Sequence, residues 1–275
     1  MIKLSISIVS YKSTDEQLEA LFFSLLSSIA FARQSLDLAI VPIYLVENSE
    51  EAHHCTSRLN QKQKHLEKFG VVLNELSGHG NVGYGRAHNL VLKELKSDVH
   101  LMLNPDVTVA DDAITNAVRL IDSNQEIKML SPNATNASGE KQYLCKRYPS
   151  VLTLFLRGLF SKGGGSKLFK QLDNYEMRDL PESKATVNIP LISGCFMMVD
   201  TRTLQELCGF NEDYFLYFED FDLSLRIAGK GKLAYAPNVR IVHFGGNTSS
   251  KGLWHILEFL KSGIRFFNTY GWRFF

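Results

Sequence analysis

Short apolar runs alternate with helical periodicity through the first 103 residues, and no other feature restricts the fold as tightly. Residues 4–9, 39–46, 71–76 and 99–103 are too short for helices and rich in Leu, Ile and Val, so they read as buried strands. Between the first two, Leu18, Leu21, Phe22, Leu25, Leu26 and Ile29 keep helical spacing. That spacing predicts an amphipathic helix over 15–33, opened by a capping box from Ser13 to Glu16. Pro42 inside the second run suggests an edge strand or a bulge. A polar helix over about 51–69 precedes the third run. A Gly-rich turn (78–85) and a helix to about residue 96 precede the fourth. Alternation of this kind implies an α/β fold with a doubly wound, mostly parallel central sheet flanked by helices.

Beyond residue 110 the pattern continues briefly and then changes character. Ile114, Val118 and Ile121 mark a helix, and residues 127–130 a strand. From 133 to 190 the periodicity loosens into a mixed second half. There a short apolar helix at 151–160 follows Lys146-Arg147-Tyr148-Pro149, and a loop holds Gly163–Gly165. Sheet-like sequence returns over 188–199, around Gly194. The chain therefore divides into an α/β half at 1–110, a second half of the same domain at 111–247, and a C-terminal helical segment at 248–275.

At 275 residues, with 45% hydrophobic and 21% charged content, the chain can bury a large core as a soluble protein. A formal net charge of +1 gives no global attraction to nucleic acid. Cys55, Cys145, Cys195 and Cys208 are scattered without a C-x-x-C, which fits reduced thiols in the cytoplasm better than disulfides or zinc. Residues 1–9 read as a strand and not a signal peptide, and no apolar run nears the ~20 residues of a spanning helix. The sequons at 133–135 and 247–249 then read as chance matches.

The fourth run stops at Asn104-Pro105-Asp106, because Pro105 lacks an N–H and holds Asn104 extended. In open α/β sheets the carboxyl ends of strands bind ligands. Ser10, Tyr11, Glu47, Asn48, Asn81 and Asp106 all fall at such ends, enough to line a nucleotide-sized cleft. A carboxylate and an amide two residues apart can serve a divalent cation; equally, Asp106 can be an ordinary turn residue. Gly78-His79-Gly80-Asn81-Val82-Gly83 satisfies G-x-G-x-x-G with Asp98 downstream, a dinucleotide fingerprint that would imply an NAD(P) oxidoreductase. Against it, the loop follows the third strand, and Asp98 begins a strand where the fingerprint wants an acid at a strand end.

Asn81-Val82-Gly83-Tyr84-Gly85-Arg86-Ala87-His88-Asn89 resembles the N-x-G-[FY]-[GA]-x-x-x-N segment of glycosyltransferase family 2, inverting enzymes of GT-A fold. Asn104-Pro105-Asp106 is similar to that family's D-x-D motif, and Gly194-Cys195-Phe196-Met197-Met198 to its G-[AC]-F-M strand. Gly209-Phe210-Asn211-Glu212, Glu219-Asp220-Phe221-Asp222-Leu223 and His243 follow in family order. The segments 146–150 and 262–272 resemble the rhamnosyltransferase-like branch. Departures from the pattern are Asn104 for the first Asp, Glu47 where an Asp is common, and no Q-x-x-R-W segment, which argues against a processive polymerase.

The resemblance implies a metal-dependent, inverting transfer from a nucleotide diphospho-sugar to a glycan or undecaprenyl-linked acceptor in surface polysaccharide synthesis. The donor leans to dTDP-L-rhamnose, with a UDP-sugar as the alternative. It assigns donor contacts to Ser10, Tyr11, Glu47, Asn48, Asn81, Gly83, Tyr84, Gly85, Asn89, Asn104 and Asp106. Asp106 and His243 would hold Mg2+ or Mn2+, the imidazole favouring Mn2+. Asp220 would be the general base, with Glu219 orienting the acceptor and Gly194 and Cys195 beside it. The same carboxylates also suit a helix N-terminus, Asp222 suits a cap or a partner for Arg226, His243 could be structural, and Cys195 reads as a packed thiol. A non-catalytic sugar-nucleotide-binding protein remains the alternative that Asn104 keeps open.

In the last segment, Leu253, Leu257, Leu260, Ile264 and Phe267 form one helical stripe, with Trp254, Phe259 and Phe266 beside it. Lys251, Lys261, Arg265 and Arg273 outnumber Glu258. This pattern serves core or homodimer packing, or an interfacial helix on the cytoplasmic face of an inner membrane, which would suit a lipid-linked acceptor.

Overall fold

The computed structural model describes residues 1–50, 63–159, 167–245 and 252–275. Cys55, the glycine run at 163–165, the sequon at 247–249, Lys251 and most of the helix expected at 51–69 lie outside the described residues.

Strands β1 (Leu4–Ser10), β2 (Val41–Glu47), β3 (Val71–Leu76) and β4 (Val99–Leu103) form a parallel block in the order β3-β2-β1-β4. The strands β1 and β4 are buried along their whole length, as the apolar runs require. Helix α1 (Asp15–Arg33) buries Leu18, Leu21, Phe22, Leu25, Leu26 and Ile29. Its capping box is Thr14 with Gln17, one residue beyond the Ser13–Glu16 pair expected; both pairs fit the motif, and the helix start chooses between them. Pro42 lies in an interior strand, not at an edge. It precedes Ile43, the first residue paired with β1, so its missing N–H falls outside that ladder.

The rest of the sheet corrects the expectation of a mostly parallel one. Strand β11 (Phe196–Asp200) joins β4 antiparallel and pairs antiparallel with β6 (Ile127–Thr135). Strand β12 (Lys232–His243) runs parallel to β6, and β5 (Val107–Val109) closes the path antiparallel to β12. The result is an α/β fold with a mixed central sheet, broadly GT-A-like but curled into a half-barrel. An apolar run such as Phe196–Val199 carries no direction of its own; buried parallel and antiparallel strands look alike in sequence.

Three further differences are local. Helix α3 (Tyr84–Asn89) is short, follows α2 (Gln63–Glu67), and gives way to a 3-10 turn at Leu92–Glu94 instead of running to residue 96. Strand β6 runs five residues past the expected end. The two-residue strand β7 (Lys141–Gln142) returns along it.

A polar chain crosses the core beneath α3. Ser7 Oγ lies 2.7 Å from His88 Nδ1 and 2.8 Å from His100 Nε2, while Ser5 Oγ lies 2.7 Å from His100 Nδ1. Burial pushes both imidazoles down to about 3, so they are neutral members of a hydrogen-bonded network.

Candidate active site

Leaving β4, the chain steps from the middle of the sheet to its far edge in three residues. Asn104 N–H donates to the Cys195 carbonyl (3.0 Å), Pro105 turns the chain, and the Asp106 carbonyl accepts from Phe244 N–H (2.8 Å). Val107 then pairs with His243 at the end of β12. This strap brings Asp106 to His243, with Asp106 Oδ1 3.6 Å from His243 Nε2. Gly245 packs so closely that an added Cβ would collide with Asp106 Oδ2 and stand 3.1 Å from His243 Nε2.

Gln142 of β7 sets the state of that histidine. Its amide nitrogen donates to the carbonyls of His243 (3.1 Å) and Gly245 (3.2 Å), which turns Gln142 Oε1 toward His243 Nδ1 at 2.7 Å. The imidazole therefore donates from Nδ1, and its Nε2 is turned toward the Asp106 carboxylate. Asp106 Oδ1 and Asn104 Oδ1 are moreover buried without hydrogen-bond partners, a cost the fold carries at a site meant for a ligand. A carboxylate and an imidazole held in this way fit a divalent ion. Among the described residues no third His, Cys, Asp or Glu joins them, so a diphosphate and water would complete the shell.

Across the cleft stands the N-terminus of α8 (Glu219–Ala228). Tyr217 and Phe218 ahead of it both take left-handed backbone, with φ of 68° and 65°. Such conformations cost about 1–3 kcal/mol each in non-glycine residues and concentrate at functional sites. Phe218 is held there by Phe221 and by Phe259 and Phe266 of α9 (Leu253–Tyr270).

Asp220 Oδ2 accepts from Gly194 N–H and Oδ1 from Phe221 N–H, both at 2.9 Å. Burial nevertheless pushes its carboxyl up to about 6. Glu219 is 4% exposed, its Oε2 has no partner, and burial followed by the Asp220 charge holds it well above the carboxylate range. Glu258 of α9 adds to that rise, and its own Oε1 is buried without a hydrogen bond. Asp222 is committed elsewhere, to Arg226 Nε (2.7 Å) and the Tyr270 hydroxyl (2.8 Å).

Tyr84 and Cys195 lie between the two acidic poles. The Tyr84 hydroxyl donates to the Gly194 carbonyl at 2.6 Å. Burial drives both the phenol and the thiol upward, and the charges of Asp106 and Asp220 add to each rise. A buried thiol raised in this way is a packing group and no nucleophile.

The remaining residues expected at the donor side form a different kind of structure. Glu47 accepts from Ser10 Oγ and Ser49 N–H, both at 3.0 Å. Asn48 donates to Asn81 Oδ1 (3.0 Å) and accepts from Val82 N–H (3.1 Å), and Asn81 Oδ1 also accepts from Gly83 N–H (3.1 Å). Gly83 has φ of 91° and no room for a Cβ against the Phe215 carbonyl. Gly85 packs on Phe210, and Asn89 clips the Phe210 backbone through both its amide groups (2.9 Å each). Tyr11 is exposed at the rim beside Lys12. The structure thus brings Asn104, Asp106, His243, Gly194, Cys195, Tyr84, Glu219 and Asp220 together. Glu47, Asn48, Asn81 and Asn89 hold the loops around them.

Sequence reasoning missed Gln142 and Glu258 as members of the site. Gln142 sits in a two-residue strand with no periodicity to read. Glu258 offered one signal, as the lone acid in a basic, apolar helix.

No family model matches the sequence. The chain is 26% identical over 208 residues to the rhamnosyltransferase WbbL of Escherichia coli (strain K12), covering 70% of this chain and 73% of that protein. It is 22% identical over 187 residues to the N-acetylglucosaminyl-diphospho-decaprenol L-rhamnosyltransferase of Mycobacterium tuberculosis (strain ATCC 25618 / H37Rv), covering 62% of this chain and 58% of that protein. Among solved structures, GalNAc-T7 with UDP, GalNAc and Mn2+ superimposes with a TM-score of 0.65 at 16% identity, covering 97% of this chain and 48% of that one. The mannosyltransferase PcManGT from Pyrobaculum calidifontis, in complex with GDP-Man and Mn2+, gives a TM-score of 0.60 at 14% identity over 95% of this chain and 64% of that one. The chain therefore spans about half the length of the first structure and under two thirds of the second. It has a glycosyltransferase-like fold, related at low identity to GT-A and family 2 enzymes that include rhamnosyltransferases.

Proposed function

We propose that the chain is an inverting, metal-dependent glycosyltransferase that moves a sugar from a nucleotide diphospho-sugar to a hydroxyl of a polyprenyl-diphosphate-linked acceptor. The observation that carries this reading is one connected set of contacts running from the Asp106–His243 pair to the Asp220 carboxylate. Asp106 and His243 face each other at 3.6 Å, and the Asn104–Cys195 backbone hydrogen bond and the adjoining Gly194 N–H, which donates to Asp220, join them to that carboxylate. The names of the sequence relatives favour L-rhamnose as the donor sugar, and the resemblance read from the sequence leans to dTDP as its carrier. A lipid-linked acceptor follows the mycobacterial relative, whose name specifies a diphospho-decaprenol.

The chemistry divides between the poles. A divalent ion held by Asp106 and His243, Mn2+ by preference for imidazole, would supply Lewis-acid stabilisation to a departing diphosphate. Asp220, fixed by the Gly194 and Phe221 N–H groups, takes the proton of the acceptor hydroxyl as it attacks. Glu219 offers an unpaired oxygen to a second acceptor hydroxyl. Tyr84 is tied to the Gly194 carbonyl and braces the wall against which the sugar would rest. Attack opposite the diphosphate is a single displacement and inverts the anomeric carbon.

The test is a panel of nucleotide diphospho-sugars with Mn2+ or Mg2+ and a diphosphate-linked GlcNAc lipid acceptor, scored by nucleoside diphosphate release and by NMR of the new linkage. The reading expects dTDP release from dTDP-L-rhamnose and an inverted anomer. Turnover with a UDP-sugar alone would move the donor assignment, and a retained anomer would remove the single displacement.

A further inference from the structure

The outer surface of α9 has a character that the cleft does not explain. At 100° per residue this helix has three sectors. One packs inward through Phe259, Ser262, Gly263 and Phe266, against Phe218 and the Leu216 carbonyl. The second carries Leu253, Ile256, Leu257, Leu260 and Ile264, which are 72%, 54%, 58%, 55% and 52% exposed. These aliphatics fall within about 100° of arc, one or two per turn, and form a continuous ridge in water. The third sector, along one flank of the ridge, holds Trp254, Lys261 and Arg265. Beyond the helix, Trp272 and Phe274 are exposed as well. The backbone carbonyls of Arg273 and Phe274 accept from Val151 and Leu152 at the start of α5 (Val151–Leu159), which carries exposed Phe155.

We propose that this ridge lies in the interface of a lipid bilayer bearing anionic headgroups, with the basic flank against the phosphates and the aliphatics below them. Charge favours this occupant over a second copy. Over 253–275 the basic side chains are Lys261, Arg265 and Arg273 and the acidic one is Glu258, which is turned toward Glu219. A two-fold contact along the ridge would set like charges beside like charges, with no acidic side chain on the ridge to answer them. Lys261, itself exposed, lies 3.6 Å from the largely buried Glu258, and Arg265 meets Asp213 at 2.6 Å in a solvent-exposed pair that headgroup phosphates can replace. No helix among the described residues is long and apolar enough to cross a membrane, so the geometry is that of a helix lying on the surface. Because the inward sector of the same helix buttresses Phe218 and carries Glu258, the bilayer would sit beside the acidic wall of the cleft. The surface argument stands on α9 alone and does not depend on the sugar donor.

The experiment is co-sedimentation of the full chain with phosphatidylcholine vesicles, with and without about one-third phosphatidylglycerol, alongside light scattering for oligomeric state. Expected is binding to the anionic vesicles that weakens with salt. The pair Leu257→Asp and Leu260→Asp should lose it by about tenfold or more, and Lys261→Gln with Arg265→Gln should lose the preference for anionic lipid. Circular dichroism and thermal unfolding of each variant show that the fold persists. No binding to either vesicle would overturn the proposal, as would equal binding to both. A dimer in scattering that Leu257→Asp and Leu260→Asp dissolve, without vesicle binding, would assign the ridge to a second copy and overturn it too.

Discussion

Two sets of residues around the candidate site follow opposite rules. Around the Gly-rich loop, Glu47, Asn48, Asn81 and Asn89 satisfy their polar atoms within the protein. Around the strap at 104–106 and the start of α8, Asn104, Asp106 and Glu219 each keep a buried oxygen without a partner. Polar groups paired internally hold a shape. Buried groups left unpaired cost about 1–3 kcal/mol apiece and persist where a ligand will complete them. The contrast separates residues that shape the donor pocket from those that meet the reacting groups, although both sets come from one string of motifs.

Substitutions should expose the difference. The largest effect is expected from Asp220→Asn, a loss of about 10²–10⁴-fold in turnover with nucleotide binding retained. Unchanged turnover would take Asp220 out of the mechanism. The parent should lose thermal stability as pH rises from about 4 through 6, and Asp220→Asn should flatten that dependence. The reason is that a carboxyl raised from 3.8 to about 6 destabilises the folded state once ionised, so its cost appears as pH rises through that window. In the parent, turnover should rise with pH through about 6.

Gln142→Ala should weaken Mn2+ affinity by about 10–100-fold, read by paramagnetic resonance of the free ion, while leaving melting temperature nearly unchanged. An unchanged affinity would make Gln142 a hairpin residue and nothing more. On the paired side, Asn48→Ala should lower stability by about 1–3 kcal/mol in denaturant titration and change turnover only as far as the Gly-rich loop loosens. A collapse of turnover in a fully stable Asn48→Ala protein would erase the division drawn here.

The smallest effect on turnover is expected beneath α3. His88 and His100 are held near 3 in the fold and near 6.5 in the unfolded chain, so the unfolded state binds more protons between those values. Their contribution should be lost as pH falls from 6.5 toward 3, and His100→Gln should flatten that dependence.

Much of this was legible in the sequence because it is local. Asn104-Pro105-Asp106 announces a strand that must end with a carboxylate, and Glu219-Asp220 announces acids at a helix start. The four strands of the parallel block follow from the spacing of their runs, whereas their order β3-β2-β1-β4 comes from the fold. Long-range facts were not legible. Nothing in Phe196–Asp200 says that it runs against β4, and the partnership of Gln142 with His243 spans 101 residues. The stripe on α9 was visible as periodicity. Only the fold shows that Phe259 and Phe266 turn inward while Leu257 and Leu260 remain in water.

The most direct test of the central claim is calorimetric titration of dTDP or UDP into the parent chain and into Asp106→Ala, each with and without Mn2+. The account expects Mn2+ to tighten nucleotide binding to the parent and to make no difference to the variant. Equal affinity in the parent with and without Mn2+, or an undiminished Mn2+ effect in Asp106→Ala, would contradict a cation site between Asp106 and His243.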